Sequence, residues 1–209
     1  KPLGESADAV EFAIAVDGQS PFEESKSLFL PRNWENEGDI RHDNEGNEFA
    51  ATVKQVDGFY KTYAFDPSGF NNDPLAFFLS SGNHKLTIDF VSDTAEIKSF
   101  SFSPIEDIPQ YNDYLKLKKA EDYSGTPIII EGEDAAVRSK KSIVPLSDNS
   151  SVSIYPQNAF VDKINYIGSK NWNRPGDTIT WNVEIKKSGY YSIGFSYRQN
   201  VTLNETFYR

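Results

Sequence analysis

The chain has 209 residues, 38% of them hydrophobic and 14% aromatic, including 15 Phe, 11 Tyr and 3 Trp; this supplies a core and excludes global disorder even at a mean hydropathy of -0.56. A net charge of -10 leaves no basic stripe for nucleic acid or an anionic membrane surface. With no Cys, disulfides and thiolate zinc sites are excluded, and no apolar run reaches the ~18 residues of a membrane span.

The opening KPLGESADAV carries no apolar signal-peptide core. The sequence has no Met, so the chain reads as an internal or processed fragment. Phe12, Ile14 and Val16 alternate with Ala and Glu and run into Asp17-Gly18, which predicts a strand over 11–18 closed by a turn. Residues 31–76 are rich in Asn, Asp, Gly and Pro, with scattered aromatics. A structureless loop of that length is unusual inside a compact domain. It reads as a structured functional insertion or a long excursion packed on a sheet edge.

Leu86, Ile88 and Phe90 alternate after a Ser-Gly-Asn turn, and Phe100 and Phe102 alternate with Ser99, Ser101 and Ser103. Both stretches predict strands. Between Pro104 and Gly125, the positions of Tyr111, Tyr114 and Leu115 at i, i+3 and i+4 predict a short helix in a connector. IIIEGEDAAV follows as a strand-like run. Ile179, Trp181, Val183 and Ile185 share one strand face, and Tyr191, Ile193, Phe195 and Tyr197 share another after a Lys-Ser-Gly turn. Aromatics on such faces belong to a core or sheet face.

The chemistry-bearing signals are few. There is no G-x-S-x-G elbow, no phosphate loop and no G-x-G-x-x-G. His42 and His84 are the two histidines, and His84, in Gly82-Asn83-His84, reads as structural. The acidic residues are numerous, but their spacing in a β protein does not define the carboxylate pair of a glycosidase. The expectation is a protein without catalytic residues, not an enzyme. The Asp43-Asn44-Glu45-Gly46-Asn47 loop lacks EF-hand spacing and reads as a turn. Asn200 and Asn204 open sequons, which would mark glycosylation in a secreted eukaryotic protein and would carry no meaning in a bacterial one.

Pyranose rings present C–H faces and hydroxyl edges, so a saccharide site needs a flat aromatic with fixed polar groups. Arg32-Asn33-Trp34 and Asn171-Trp172-Asn173-Arg174 both offer that combination. The candidate carbohydrate contacts are therefore Trp34, Asn33, Arg32, Trp172, Arg174 and Tyr155. Packing of these loops onto the sheet is the competing reading for both Trp34 and Trp172. Trp181 shares the parity of Ile179 and Val183 and reads as core.

Two sets of words in the sequence carry a resemblance. TPIIIEGEDAA, GDTITWNVEIKKSGYYSIGFSY, EFAIAVDG, LSSGNHKLTIDF and EIKSFSFSP resemble strands of family 6/35-type carbohydrate-binding modules, with the late strands placed before the early ones. FAIAVDGQSPFEESKSLFLPRNWENEGDIRHDNEGNEF, IIIEGEDA and NWNRPGDTITWNVE resemble the region upstream of the solute-binding domain in large extracellular ABC-transport solute-binding proteins of Gram-positive bacteria.

The resemblance implies an all-β, jelly-roll β-sandwich of galactose-binding-like type, with the back half of one unit preceding the front half of the next. Half a sandwich exposes strand edges, and sandwich termini tolerate permutation. The expectation is one composite, circularly permuted sandwich over 1–209, with back half 5–103, connector 104–126 and front half 127–209. Its predicted seam sets strand 11–18 beside 191–198. The alternative is two half-units, 1–120 and 121–209. The resemblance further implies a structural calcium at Glu131 and Glu133, with Lys98 standing where a third ligand belongs; Lys98 is expected to replace the cation and pair with one of these acids. Apart from calcium, no cofactor is implied. The implied setting is extracellular, anchored at the cell surface through another part of a lipoprotein-type transport protein. Its partners are carbohydrate and the remaining domains of that protein, with no nucleic acid and no membrane insertion by this segment. The implied task is to bind or orient sugar, or to act as a structural spacer or interaction domain.

Overall fold

The alternation in VEFAIAV forms β1 (Val10–Val16) of the computed structural model, flanked on both sides by antiparallel neighbours. The structure describes all residues except 5–8, 67, 72, 106, 107, 118, 119 and 199–209, and only the backbone of residue 117. The terminal motif Thr206–Arg209 and the two sequons lie outside the described residues. The described chain is mostly β, with a single short α-helix, and divides into two compact units: Lys1–Glu106 with Ile129–Val183, and Asp107–Ile128 with Glu184–Arg209.

In the first unit, β2 (Leu28–Leu30) and β7 (Leu86–Ser92) flank β1. The register pairs Val10 with Leu30, Phe12 with Leu28 and Phe90, Ile14 with Ile88, and Val16 with Leu86. Cross-strand apolar pairs of this kind stabilise a sheet, and Val10, Phe12 and Leu28 are buried. Both sides of β1 are taken, by β2 and β7, strands other than the 191–198 of the expected seam.

The Asn- and Gly-rich stretch contains β3 (Trp34–Glu37), β4 (Arg41–His42), β5 (Glu48–Phe49) and β6 (Thr52–Gln55). Its polar residues supply the turns. The Asp43 carboxylate accepts the backbone N–H of Glu45 and of Asn47, and the Asn47 side-chain amide, closing the β4–β5 hairpin. Those bonds hold the Asp43 carboxyl below its usual range, the Asn47 side chain contributing most.

After the connector come β8 (Val137–Arg138), β9 (Pro145–Ser147), β10 (Ile164–Ile167) and β11 (Ile179–Thr180). A four-stranded sheet runs β11-β8-β3-β6, and β10 pairs with β9. Strands from before and after the connector thus meet at β3–β8. They meet again at Glu48, whose carboxylate accepts Lys163 Nζ at 2.5 Å and the Ile164 N–H at 3.1 Å.

In the second unit, α1 (Tyr111–Leu117) forms where the spacing predicts it, but Tyr111, Tyr114 and Leu115 are exposed. Tyr123 stacks on Tyr191 at 4.4 Å, and a parallel bridge pairs Asp122 with Tyr190, the Tyr123 N–H donating to Tyr190 O and the Tyr190 N–H to Glu121 O. Two predicted strands are corrected outright and two are cut back, 128–137 to its end in β8 and 179–185 to its start in β11. Residues 99–103, 128–131, 181–185 and 191–197 form no strand, and Phe100, Phe102, Ile129, Ile193 and Phe195 are exposed. A strand exists only where a neighbour takes its backbone N–H and C=O groups, and these segments meet no such neighbour among the described residues. No helix among the described residues is long and apolar enough to cross a membrane.

Candidate functional site

The two Trp motifs have opposite fates, although their sequences are alike. Arg32 is 0% exposed. Its guanidinium donates to Leu3 O at 2.8 Å, Gly4 O at 3.2 Å, Gln55 Oε1 at 3.0 Å and Asp93 Oδ2 at 3.1 Å. Asn33 is half-buried, and its carbonyl accepts the Val56 N–H. Trp34 opens β3 instead of sitting in a loop, and is 4% exposed. Lys141 Nζ lies 5.4 Å from its ring centroid. Arg32 and Trp34 are thus buried, and only Asn33 of the three is partly open.

Trp172 follows the 3-10 turn Ser169–Asn171 and is 46% exposed. Its indole N–H donates to the Asp177 carbonyl at 3.0 Å, so the ring edge is fixed while much of the ring remains open. Asp177 organises the loop through its side chain as well. Its Oδ2 accepts Lys140 Nζ at 2.5 Å, the Arg174 N–H at 2.9 Å and the Asn173 N–H at 3.3 Å. The Asn171 side-chain amide donates to Ser142 O. Gly168, at φ +119°, lets the chain enter the turn; a Cβ there would stand 3.4 Å from Trp172 Cε3. The side chains of Asn173 and Arg174 are exposed beside the indole in sequence.

Tyr155 is largely exposed and makes no ring contact with either Trp among the described residues. Near it in sequence, Asn149, Gln157, Asn158 and Ala159 line an open hollow of about 500 Å³. Among the described residues, Trp34 and the Trp172 loop are approached by the adjacent residues Lys141 and Lys140, Lys141 at the Trp34 ring and Lys140 at Asp177. Trp181 is half-buried and donates its indole N–H to Gly132 O at 3.0 Å.

Two residues of this arrangement escaped the sequence reading: Asp177 and Lys140. The run Arg138-Ser139-Lys140-Lys141, three cations in a strongly acidic chain, is the signal that could have found the second.

Glu131 is exposed at the start of a 3-10 turn, Gly132–Asp134, and Glu133 is half-buried. Burial pushes the Glu133 carboxyl up, with Glu131, Asp134 and Glu48 adding to it. Lys98 does not pair with either acid; its Nζ stands 6.0 Å from the Phe59 ring. Among the described residues no three His, Asp or Glu side chains are placed to hold a metal ion. Calcium takes six to eight oxygens, so this pair does not fit it by itself. Comparisons with known proteins find no matching family model, no matching curated protein and no matching solved structure.

Proposed function

We propose that this chain is a non-catalytic, carbohydrate-binding-like module of a cell-surface ABC-transport solute-binding protein, and that it contacts sugar through Trp172. The reading is supported chiefly by the Trp172 indole, half open to solvent and held at one edge by Asp177. A pre-positioned aromatic face loses little on binding and suits the C–H face of a pyranose. Asn173 and Arg174 supply adjacent hydrogen-bonding groups. The architecture we attach to this reading is a circularly permuted jelly roll, supported by the joining of the two halves at β3–β8 and at Glu48. The module works outside the cell, with the remaining domains of the same protein as its partners.

Titration with a saccharide panel, read by Trp fluorescence, tests the reading. Binding that disappears in Trp172→Ala, with the fold intact, is the expected outcome. A specific observation favours a second reading, a structural spacer or interaction domain: Phe70, Phe78 and Phe160 are almost fully exposed, as surfaces awaiting a neighbouring domain would be. No saccharide response in either chain would leave the spacer as the function.

A further inference from the structure

One row across the four-stranded sheet reads Gln55, Trp34, Arg138, Ile179, all paired in register. Residues directly opposite on antiparallel strands project from the same face, with Cβ atoms about 5 Å apart. Trp34 and Arg138 are therefore side by side, and Arg138 is 0% exposed. Arg138 Nη2 donates to Asn36 Oδ1 at 2.8 Å and Ala135 O at 3.2 Å, both neutral acceptors. The remaining donors, Arg138 Nε and Nη1 and Trp34 Nε1, are buried and meet no acceptor.

Arg32 is the internal contrast. It is equally buried, but its guanidinium takes the Asp93 carboxylate together with three neutral acceptors. Arg138 forms no ion pair among the described residues, and burial alone pulls its guanidinium below its ordinary range. A buried charge without a counter-charge is costly and calls for a partner. The three unmet groups of this pair are all donors, and two of them belong to a cation. A planar anion with two oxygens answers that set, since carboxylates take guanidinium and N–H donors in charge-assisted bonds. Lys141, exposed and long, lies over the Trp34 ring. Its ammonium adds attraction for an anion that enters beside the ring.

We infer that Trp34 and Arg138 form a carboxylate-binding subsite covered by Lys141, suited to a small organic carboxylate. It uses none of the residues that carry the Trp172 reading and does not rest on it. The test titrates acetate into the 15N-labelled chain against chloride at constant ionic strength, with the three indole N–H resonances assigned by W34F, W172F and W181F. The Trp34 resonance is expected to shift saturably while those of Trp172 and Trp181 stay. The thermal midpoint is expected to rise by about 3 °C at saturation. R138M abolishes both effects, K141A raises the acetate midpoint several-fold, and W172A leaves both effects in place. An unmoved Trp34 resonance, or a shift that persists in R138M, overturns the proposal. Should R138M fail to fold, W34F decides, because it removes one donor and no charge. The proposal requires a smaller acetate-induced rise in W34F than in the unaltered chain, and an equal rise overturns it.

Discussion

His84 and Asp17 lock the turn after β1 to the entry of β7. His84 Nδ1 meets Asp17 Oδ2 at 2.7 Å, and its Nε2 meets Ser80 O at 2.9 Å. Asp17, at φ +52°, also accepts the Lys85 N–H through Oδ1 at 2.8 Å. Nε2 also has the Ser80 hydroxyl at 3.4 Å; the imidazolium donates to both Asp17 and the Ser80 carbonyl, whereas a neutral ring keeps the Asp17 bond and takes the hydroxyl instead. The Asp17 bond foremost, then the Ser80 carbonyl, raises the His84 pKa; the Lys85 N–H foremost, then His84, lowers that of Asp17.

These shifts set the pH dependence of the latch. A raised His84 pKa contributes stability that is full below the unfolded value of about 6.5 and fades as pH rises through the folded value. A lowered Asp17 pKa contributes stability above about 3.9 that is lost as pH falls through the folded value. The thermal midpoint of His84→Ala should therefore lie further below the unaltered chain at about pH 5.5 than at about pH 8.5. Equal gaps at the two pH values would show that the ring is neutral.

Asp177 carries the Trp172 loop, with three donors on one carboxylate oxygen and the indole on its carbonyl. Asp177→Ala leaves a partly buried Lys140 and two backbone N–H groups without that acceptor. A loss of ~2–4 kcal/mol is expected in urea denaturation. The Trp172 emission should shift to the red as the loop loosens. An unchanged emission would mean that the indole is held by other contacts.

Arg32 ties the N-terminal segment, Gln55 and Asp93 together. Removing it strands four acceptors, one of them charged, so Arg32→Ala should cost about 3–5 kcal/mol. Arg32→Lys should recover only part of this, because an ammonium does not reproduce the planar fork. Full rescue by Lys would argue that charge, not geometry, holds this corner.

The corrected strands give a stability contrast. Leu28 is fully buried against β1, and Leu28→Ala should cost about 2–5 kcal/mol. Phe100 and Phe102 are exposed in a stretch without strand pairing. Phe100→Ser with Phe102→Ser should change stability by no more than about 0.5 kcal/mol each, and should improve solubility. A loss comparable to Leu28→Ala would place these rings in a core.

Much of the first sheet was legible from local pattern. The alternation at Phe12, Ile14 and Val16 and that at Leu86, Ile88 and Phe90 became β1 and β7, with the Asp17-Gly18 turn between β1 and its return. The spacing of Tyr111, Tyr114 and Leu115 became α1, although not a buried face. The same alternation at Phe100, or from Tyr191 to Tyr197, produced no strand, because alternation states which face is apolar and says nothing of whether a partner strand is at hand.

The sequence by itself determined the β character, the turn chemistry, the strong negative charge and the short list of aromatics flanked by Asn and Arg. Only the tertiary structure decided which of those aromatics faces solvent. Arg32-Asn33-Trp34 and Asn171-Trp172-Asn173-Arg174 read alike, but β8 arrives from about a hundred residues downstream to bury Trp34 beside Arg138, while Asp177 holds Trp172 at the surface from only five residues away. Burial is a property of what packs against a residue, and for Trp34 that partner is distant in the chain.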